Sequence, residues 1–247
     1  MTYCVGLRLE AGLVMLADTR TNAGLDNISR FAKMFHWERP GERAIVAMTA
    51  GNLSITQGVI TALDTACRRW EAGEDVECLL NCESTFRAAQ LAAEAMGAQQ
   101  KRYRDQLEAQ GAAADATIIL GGQRVGGAHR LFLLYSAGNF IEATEDTPFF
   151  QIGEHKYGKP ILDRVITPAT PIPTALKAAF VSMDSTLRSN LSVGMPLDLS
   201  VIPAGRLRIA VRRRIEAEDP DFGQISAAWS EALRDAFGRV PDVTTDG

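Results

Sequence analysis

Apolar residues run along this chain in two rhythms. Near the N-terminus they form short, almost continuous runs. "TYCVGLRL" and "GLVMLADT" flank a brief "EAG" and predict a β-hairpin. "KMFHWE" and "RAIVAMTAG" predict a second hairpin, with Pro40-Gly41 as its turn. The rhythm then becomes helical. Ile55, Val59, Leu63 and Ala66 predict a helix from Asn52 to Trp70. A longer helix is predicted from Val76 to Gln110, rich in Ala, Glu, Gln, Arg and Leu. Its polar second half, "GAQQKRYRDQLEAQG", is expected at the surface. Strand patterns return in "ATIILGG", "RLFLLYSAG" and "FIEA", a meander with glycine-rich turns, followed by "FFQIG". "KYGKPILDRVI" reads as a short helix interrupted by Pro160. In "PTALKAAFVSMDSTLRSN", Ala175, Ala179, Met183 and Leu187 share one helical face. "LDLSVIP" and "RLRIAVRRRI" read as strands joined by "AG". Ile225, Trp229, Leu233 and Phe237, at spacings of four, predict a final amphipathic helix docked on the body.

Strands, two helices, strands, two helices, strands and a helix follow in segregated runs. That order predicts an α+β layered architecture rather than alternating βαβ units. Two sheets face to face, with helix pairs outside, would bury the continuous apolar strands. No linker or repeat interrupts the pattern, so a single domain is expected over 1–247, with 237–247 as a loose tail. Composition agrees: 247 residues are 46% hydrophobic, sufficient for a packed core. The net charge of −4 excludes the basic footprint of a nucleic-acid binder. No apolar run reaches the roughly 20 residues needed to span a bilayer, and the start does not read as a signal peptide. Cys4, Cys67, Cys78 and Cys82 form no C-x-x-C pair and are expected as free thiols in a reducing, cytoplasmic compartment.

The familiar reactive motifs are absent. His36, His129 and His155 have no metal spacing, and neither a G-x-S-x-G elbow nor a Walker A loop occurs. No metal or cofactor is therefore expected. "GGQRVGG" (121–127) lies between strands and reads as a hairpin turn. Cys78 and Cys82, at i and i+4 of the predicted second helix, read as buried small hydrophobes rather than ligands. "RRR" at 212–214 alternates between the faces of a strand and reads as a solvated or subunit-contact surface.

Thr2 is different. Removal of Met1 would leave a hydroxyl and an α-amine on one residue. An α-amine titrates at about 7.7–8.0 and can act as the base for its own hydroxyl. A neighbouring lysine favours the neutral amine, and a carboxylate would hold that lysine. Antiparallel pairing of the first hairpin brings Asp18 beside the start of the first strand. Lys33 opens the next strand. In "TAGN", the Gly51 amide stands at a helix N-terminus, suited to an oxyanion.

Together "MTYCVGLRLEAGLVMLADTRTNAG", "FAKMF" and "TAGN" resemble the proteasome β-subunit superfamily of N-terminal-nucleophile hydrolases. The nearest resemblance is to its bacterial subfamily Anbu, the ancestral β-subunit, with "RSNLSVGMPLDL" adding to the likeness. It extends from Thr2 to about the strand at 206–214. The resemblance implies a four-layer αββα sandwich of the N-terminal-nucleophile hydrolase type. It implies Thr2 as nucleophile with its amine as base, Asp18 and Lys33 as the supporting pair, and Gly51 as oxyanion donor. Ser192 would lie near the amine. Phe31, Phe35, Thr49 and Leu53 would form an apolar first substrate pocket. Two positions depart from the superfamily pattern: Ser189 replaces an aspartate, and Glu154 replaces a second supporting serine.

The resulting expectation is a threonine peptidase acting on a peptide or protein substrate. It would cleave through an acyl-enzyme on Thr2 and assemble as a homo-oligomer, in a ring or a helical array. A weakly active or inactive proteasome-like assembly protein and an N-terminal-nucleophile amidase for small amides are the alternatives. Loss of Met1 alone would mature the enzyme.

Overall fold

Every strand pairing described is antiparallel, and each hairpin closes where the apolar rhythm breaks. The protein is seen as a computed structural model that describes residues 2–22 and 28–243. Met1, the middle of the 19–33 loop and the last residues of the expected tail lie outside the described residues. In chain order the first elements are β1 (Tyr3–Leu9), β2 (Gly12–Asp18), β3 (Arg20–Asn22), β4 (Ile28–Arg30), β5 (Met34–Arg39), β6 (Arg43–Gly51), α1 (Leu53–Glu71) and α2 (Thr85–Ala109). Then come β7 (Ala116–Arg124), β8 (Arg130–Leu134), β9 (Phe140–Glu142), β10 (Phe149–Gly153), α3 (Lys159–Val165), α4 (Ile172–Ser189), β11 (Leu197–Pro203), β12 (Val211–Ile215) and α5 (Pro220–Phe237). One five-stranded sheet has the order β10-β1-β2-β11-β12, and a second has β5-β6-β7-β8-β9. β3 and β4 form a separate ribbon within a stretch that reads as loop in the sequence.

Side-chain alternation explains why the strands read as unbroken apolar runs. On β1, Tyr3, Val5, Leu7 and Leu9 face α3, α4 and α5, whereas Cys4 faces the other sheet. On β6, Ala44, Val46, Met48 and Ala50 face the first sheet, and Ile45 and Ala47 face α1 and α2. Both faces of both sheets are thus covered, as in the four-layer αββα sandwich of N-terminal-nucleophile hydrolases. Burying each large side chain contributes about 1.5–3 kcal/mol. Among the described residues, no helix is long and apolar enough to cross a membrane.

Several elements differ from their predicted bounds. The second helix begins at Thr85, not Val76. In the segment before it, Asn81 Oδ1 accepts from the Cys78 N–H (2.7 Å) and Asn81 Nδ2 donates to Val76 O (2.9 Å). Arg43 Nη1 donates to Cys82 O at 2.9 Å. These side chains satisfy the backbone outside a helix, so good helix formers there do not fold as one. Ser84 then caps α2, accepting from the Arg87 N–H at 3.0 Å. Cys78 and Cys82 are buried, as expected, but in this turn rather than on a helix. Pro160 sits in the first turn of α3, where its missing N–H costs nothing, so it starts the helix instead of interrupting it. Gly121 to Arg124 continue β7, and the turn falls at Val125–Gly127. β12 begins only at Val211, because the Ile209 N–H is drawn to Glu38 Oε1 (2.6 Å). Its three arginines are exposed, and two are paired, Arg213 with Asp221 (3.0 Å) and Arg214 with Asp198 (2.9 Å). On α5 only Phe222 is buried, while Leu233 and Phe237 are 49% and 79% exposed. Its far end presents an apolar face to solvent instead of docking.

Candidate active site

The register of the first hairpin sets the site. Cys4 pairs with Ala17, so the next step outward sets Tyr3 opposite Asp18, one residue from Thr2. The Tyr3 N–H donates to Asp18 Oδ1 at 3.0 Å. Lys33 Nζ donates to the same oxygen at 2.7 Å and to Arg20 O at 2.6 Å. The Gly194 N–H donates to Asp18 Oδ2 at 3.2 Å. Lys33 is held in turn by the end of β6, whose Thr49 N–H donates to Lys33 O at 2.9 Å. The Thr19 hydroxyl donates to Pro196 O (2.7 Å), which ties this corner to the loop carrying Gly194. Asp18 has no solvent exposure and Lys33 only 4%. Burial pushes the Asp18 carboxyl up; the Lys33 ammonium and the amides of Tyr3 and Gly194 oppose it. Three donors on two oxygens form the setting of an ionised carboxylate, which accepts only.

In front of this pair is a cavity of about 560 Å³. Thr2, Lys33, Thr49, Gly51 and Leu53 line it, joined by Thr21, Ala50, Thr56, Asp115, Thr117 and Gly153. Gly51 ends β6 at φ +104°, and a Cβ there would fall inside contact distance of the Asp115 carbonyl oxygen. Only glycine fits that backbone. Asn52 follows as the cap of α1, its Oδ1 accepting from the N–H groups of Ser54 (3.0 Å) and Ile55 (3.3 Å). The positive end of α1 therefore borders the cavity. Thr2 is 8% exposed, and its carbonyl accepts from the Glu154 N–H at 2.7 Å. Gly153, at φ +81°, lies so close to that carbonyl that a Cβ would overlap it.

The sequence-derived residues separate here. Thr2, Lys33, Thr49, Gly51 and Leu53 share the cavity, with Asp18 buried behind them. Ser192 is not on the wall. Its N–H donates to Asn190 Oδ1 (2.9 Å), and its loop meets the site through Gly194. Phe31 is 38% exposed, and Phe35 packs with the α1 and α2 layer; neither lines the cavity. Thr49 and Leu53 of the expected pocket are in the wall, which also carries Thr2, Thr21, Thr56 and Thr117 beside Ala50 and Gly51. Alternation explains Phe35: Met34 points between the sheets, so its neighbour must point to the helices. Asp115 and Thr117 carry no sequence signal of their own. Their place follows from pairing the start of β7 with the end of β6, Ala50 opposite Thr117. Burial pushes the nearby Cys4 thiol up, with Asp18 adding to the shift, so Cys4 stays a neutral thiol and does not compete as a nucleophile. Among the described residues, no three His, Cys, Asp or Glu side chains gather as a metal site.

No protein-family model and no curated protein matches the chain. Solved structures match it over its whole length. Anbu (ancestral beta-subunit) from Yersinia bercovieri superposes with a TM-score of 0.91 at 42% identity, covering 99% of this chain and 100% of that one. An Anbu (Gly-1) mutant from Hyphomicrobium sp. strain MC1 gives 0.90 at 44% identity, covering 99% and 100%. The structure described as the helical assembly of the Anbu complex from Pseudomonas aeruginosa gives 0.92 at 45% identity, covering 98% of each chain.

Proposed function

Since the chain belongs to the Anbu family of proteasome-like proteins, we propose that it is an N-terminal threonine hydrolase of amide bonds that works within an oligomer of itself. One observation carries this reading. Thr2, Lys33 and Gly51 border a single cavity, and Asp18 behind them binds both Lys33 and the amide following Thr2. Once Met1 is removed, the Thr2 α-amine takes the hydroxyl proton and Oγ1 attacks the substrate carbonyl. Lys33, 2.7 Å from Asp18, places its ammonium beside the site and favours the neutral amine before attack. Thr49 sends its N–H toward Lys33, and strand alternation turns the Gly51 amide to the same side, toward the developing oxyanion. The leaving amine receives the proton, and an ester on Thr2 remains. A water deprotonated by the same α-amine then hydrolyses that ester.

The cavity, about 560 Å³ and bordered by the end of β6, leaves room for a peptide beside Thr2. Self-assembly is supported by the exposed apolar end of α5 and by the helical assembly formed by the relative from P. aeruginosa. A ring and a helical turn use nearly the same interface, differing by a small rotation per subunit. Four buried free cysteines fit a reducing, cytoplasmic setting. A second reading, an assembly protein of low activity, draws support from Ser189, an exposed neutral residue at the end of α4 where the superfamily carries a carboxylate.

Thr2→Ala should abolish both peptide turnover and labelling by a threonine-directed electrophile, with the circular dichroism spectrum unchanged. Full activity in that variant would refute the mechanism. Intact mass of the purified protein reports whether Met1 has left.

A further inference from the structure

Glu154 is a buried carboxylate without a cation. It is 8% exposed. Its Oε2 accepts from Asn190 Nδ2 at 3.1 Å, and its Oε1 from the Lys156 N–H at a long 3.4 Å. Among the described residues it has no ion-pair partner, and leaving a buried charge unpaired is costly. Its backbone, however, is bonded to the nucleophile itself: the Glu154 N–H donates to Thr2 O at 2.7 Å. Asn190 links it to the loop of Ser192, whose N–H donates to Asn190 Oδ1.

We propose that Glu154 is a positioning residue that pairs with the α-amine of mature Thr2, supplying the cation its carboxylate lacks. This rests on the reading of Thr2 as a processed N-terminus. Continuing the β1–β10 register, in which Tyr3 pairs with Gly153, sets Glu154 directly opposite Thr2, where facing Cβ atoms lie about 5 Å apart. The other charged groups around Thr2 are already engaged. Asp18 and Lys33 pair with each other, Asp184 on α4 pairs with Arg188, and Arg20 packs on Gly194 and donates to Leu191 O. His155 and Lys156 are exposed, and Asp115 is across the cavity. Glu154 and Lys33 then act in opposition on the amine. Lys33 favours its neutral form before attack, and Glu154 stabilises the ammonium that forms when the hydroxyl proton arrives. Glu154 orients the base without touching substrate.

The test is an NMR titration of the α-amine in protein labelled with [15N]threonine, run beside the pH dependence of electrophile labelling. In Glu154→Gln the amine should titrate about one pH unit lower than in the wild type. The acid limb of labelling should move with it, and the plateau should drop about threefold as the base weakens. Glu154→Asp should recover part of both. An amine that titrates identically in wild type and Glu154→Gln overturns the proposal, even if labelling continues and the proposed function stands. A shifted amine without labelling supports the pairing and removes the proposed function. Retention of Met1 in the native protein overturns both.

Discussion

Asp18 and Lys33 offer a stability experiment that separates architecture from chemistry. Their charges are 2.7 Å apart with side-chain exposures of 0% and 5%. At an effective dielectric near 20, that separation gives an attraction of about 6 kcal/mol. Desolvating both ions offsets most of it, so the pair's net contribution is small while either ion alone is expensive. Lys33→Met leaves Asp18 charged and buried with only the Tyr3 and Gly194 amides, and should cost about 3–5 kcal/mol. Asp18→Leu leaves the Lys33 ammonium facing Arg20 O alone and removes the acceptor of two buried amides, each worth about 1–3 kcal/mol. It should cost at least as much as Lys33→Met. The double variant carries neither orphan charge and should be more stable than Asp18→Leu by about 2 kcal/mol or more. All four proteins would be unfolded in urea at one protein concentration, so that assembly contributes equally. The double variant should recover stability and remain inactive, since the amine loses its charged neighbour. If the costs of the single variants simply add, the two charges are not coupled and the account of the site is wrong.

Three further outcomes follow. Gly51→Ala should destabilise by about 2–4 kcal/mol and abolish electrophile labelling, because φ is +104° and the new Cβ meets Ala116 Cα at 2.9 Å; a melting temperature within one degree of wild type would contradict this. His36 donates from Nε2 to Ser200 Oγ (2.8 Å), whose hydroxyl turns to Met34 Sδ (3.1 Å). Burial, then Arg212, pushes it down to about 4, so the unfolded chain takes up a proton first and stability falls as pH drops from about 6.5 to 4. The loss should be roughly 1–2 kcal/mol after discounting for its partial exposure, and absent in His36→Gln; equal acid sensitivity in both proteins would count against it. Phe237→Asp, at a position 79% exposed, should leave the monomer fold intact and reduce the oligomer in light scattering if α5 mediates assembly.

Where local pattern and pairing rules suffice, the sequence was informative. The "EAG" turn fixes the hairpin register, and the register alone brings Asp18 to Thr2. Glycine before an asparagine cap likewise marked Gly51. The losses have physical causes. Residues 76–84 have helical composition, but Asn81 and Arg43 satisfy their backbone in another way. Phe35 looked available for substrate until strand parity turned it to the helices. The apolar repeat of α5 specifies a buried face without saying whether this chain or another copy buries it. Thr117 and Asp115 enter the site through the pairing of strands far apart in sequence, and no local signal records that.

The Thr2 anchors also have a practical meaning. Its carbonyl is held by Glu154, and the amide that follows it is held by Asp18; both restraints act from the C-terminal side. The proposed nucleophile is thus a cantilever, fixed at its root. Neither restraint uses the Thr2 nitrogen, so under the proposed mechanism folding need not wait for Met1 to leave. An N-terminal purification tag would for the same reason give a soundly folded but silent protein. Inactivity measured on such a preparation would describe the tag rather than the native chain.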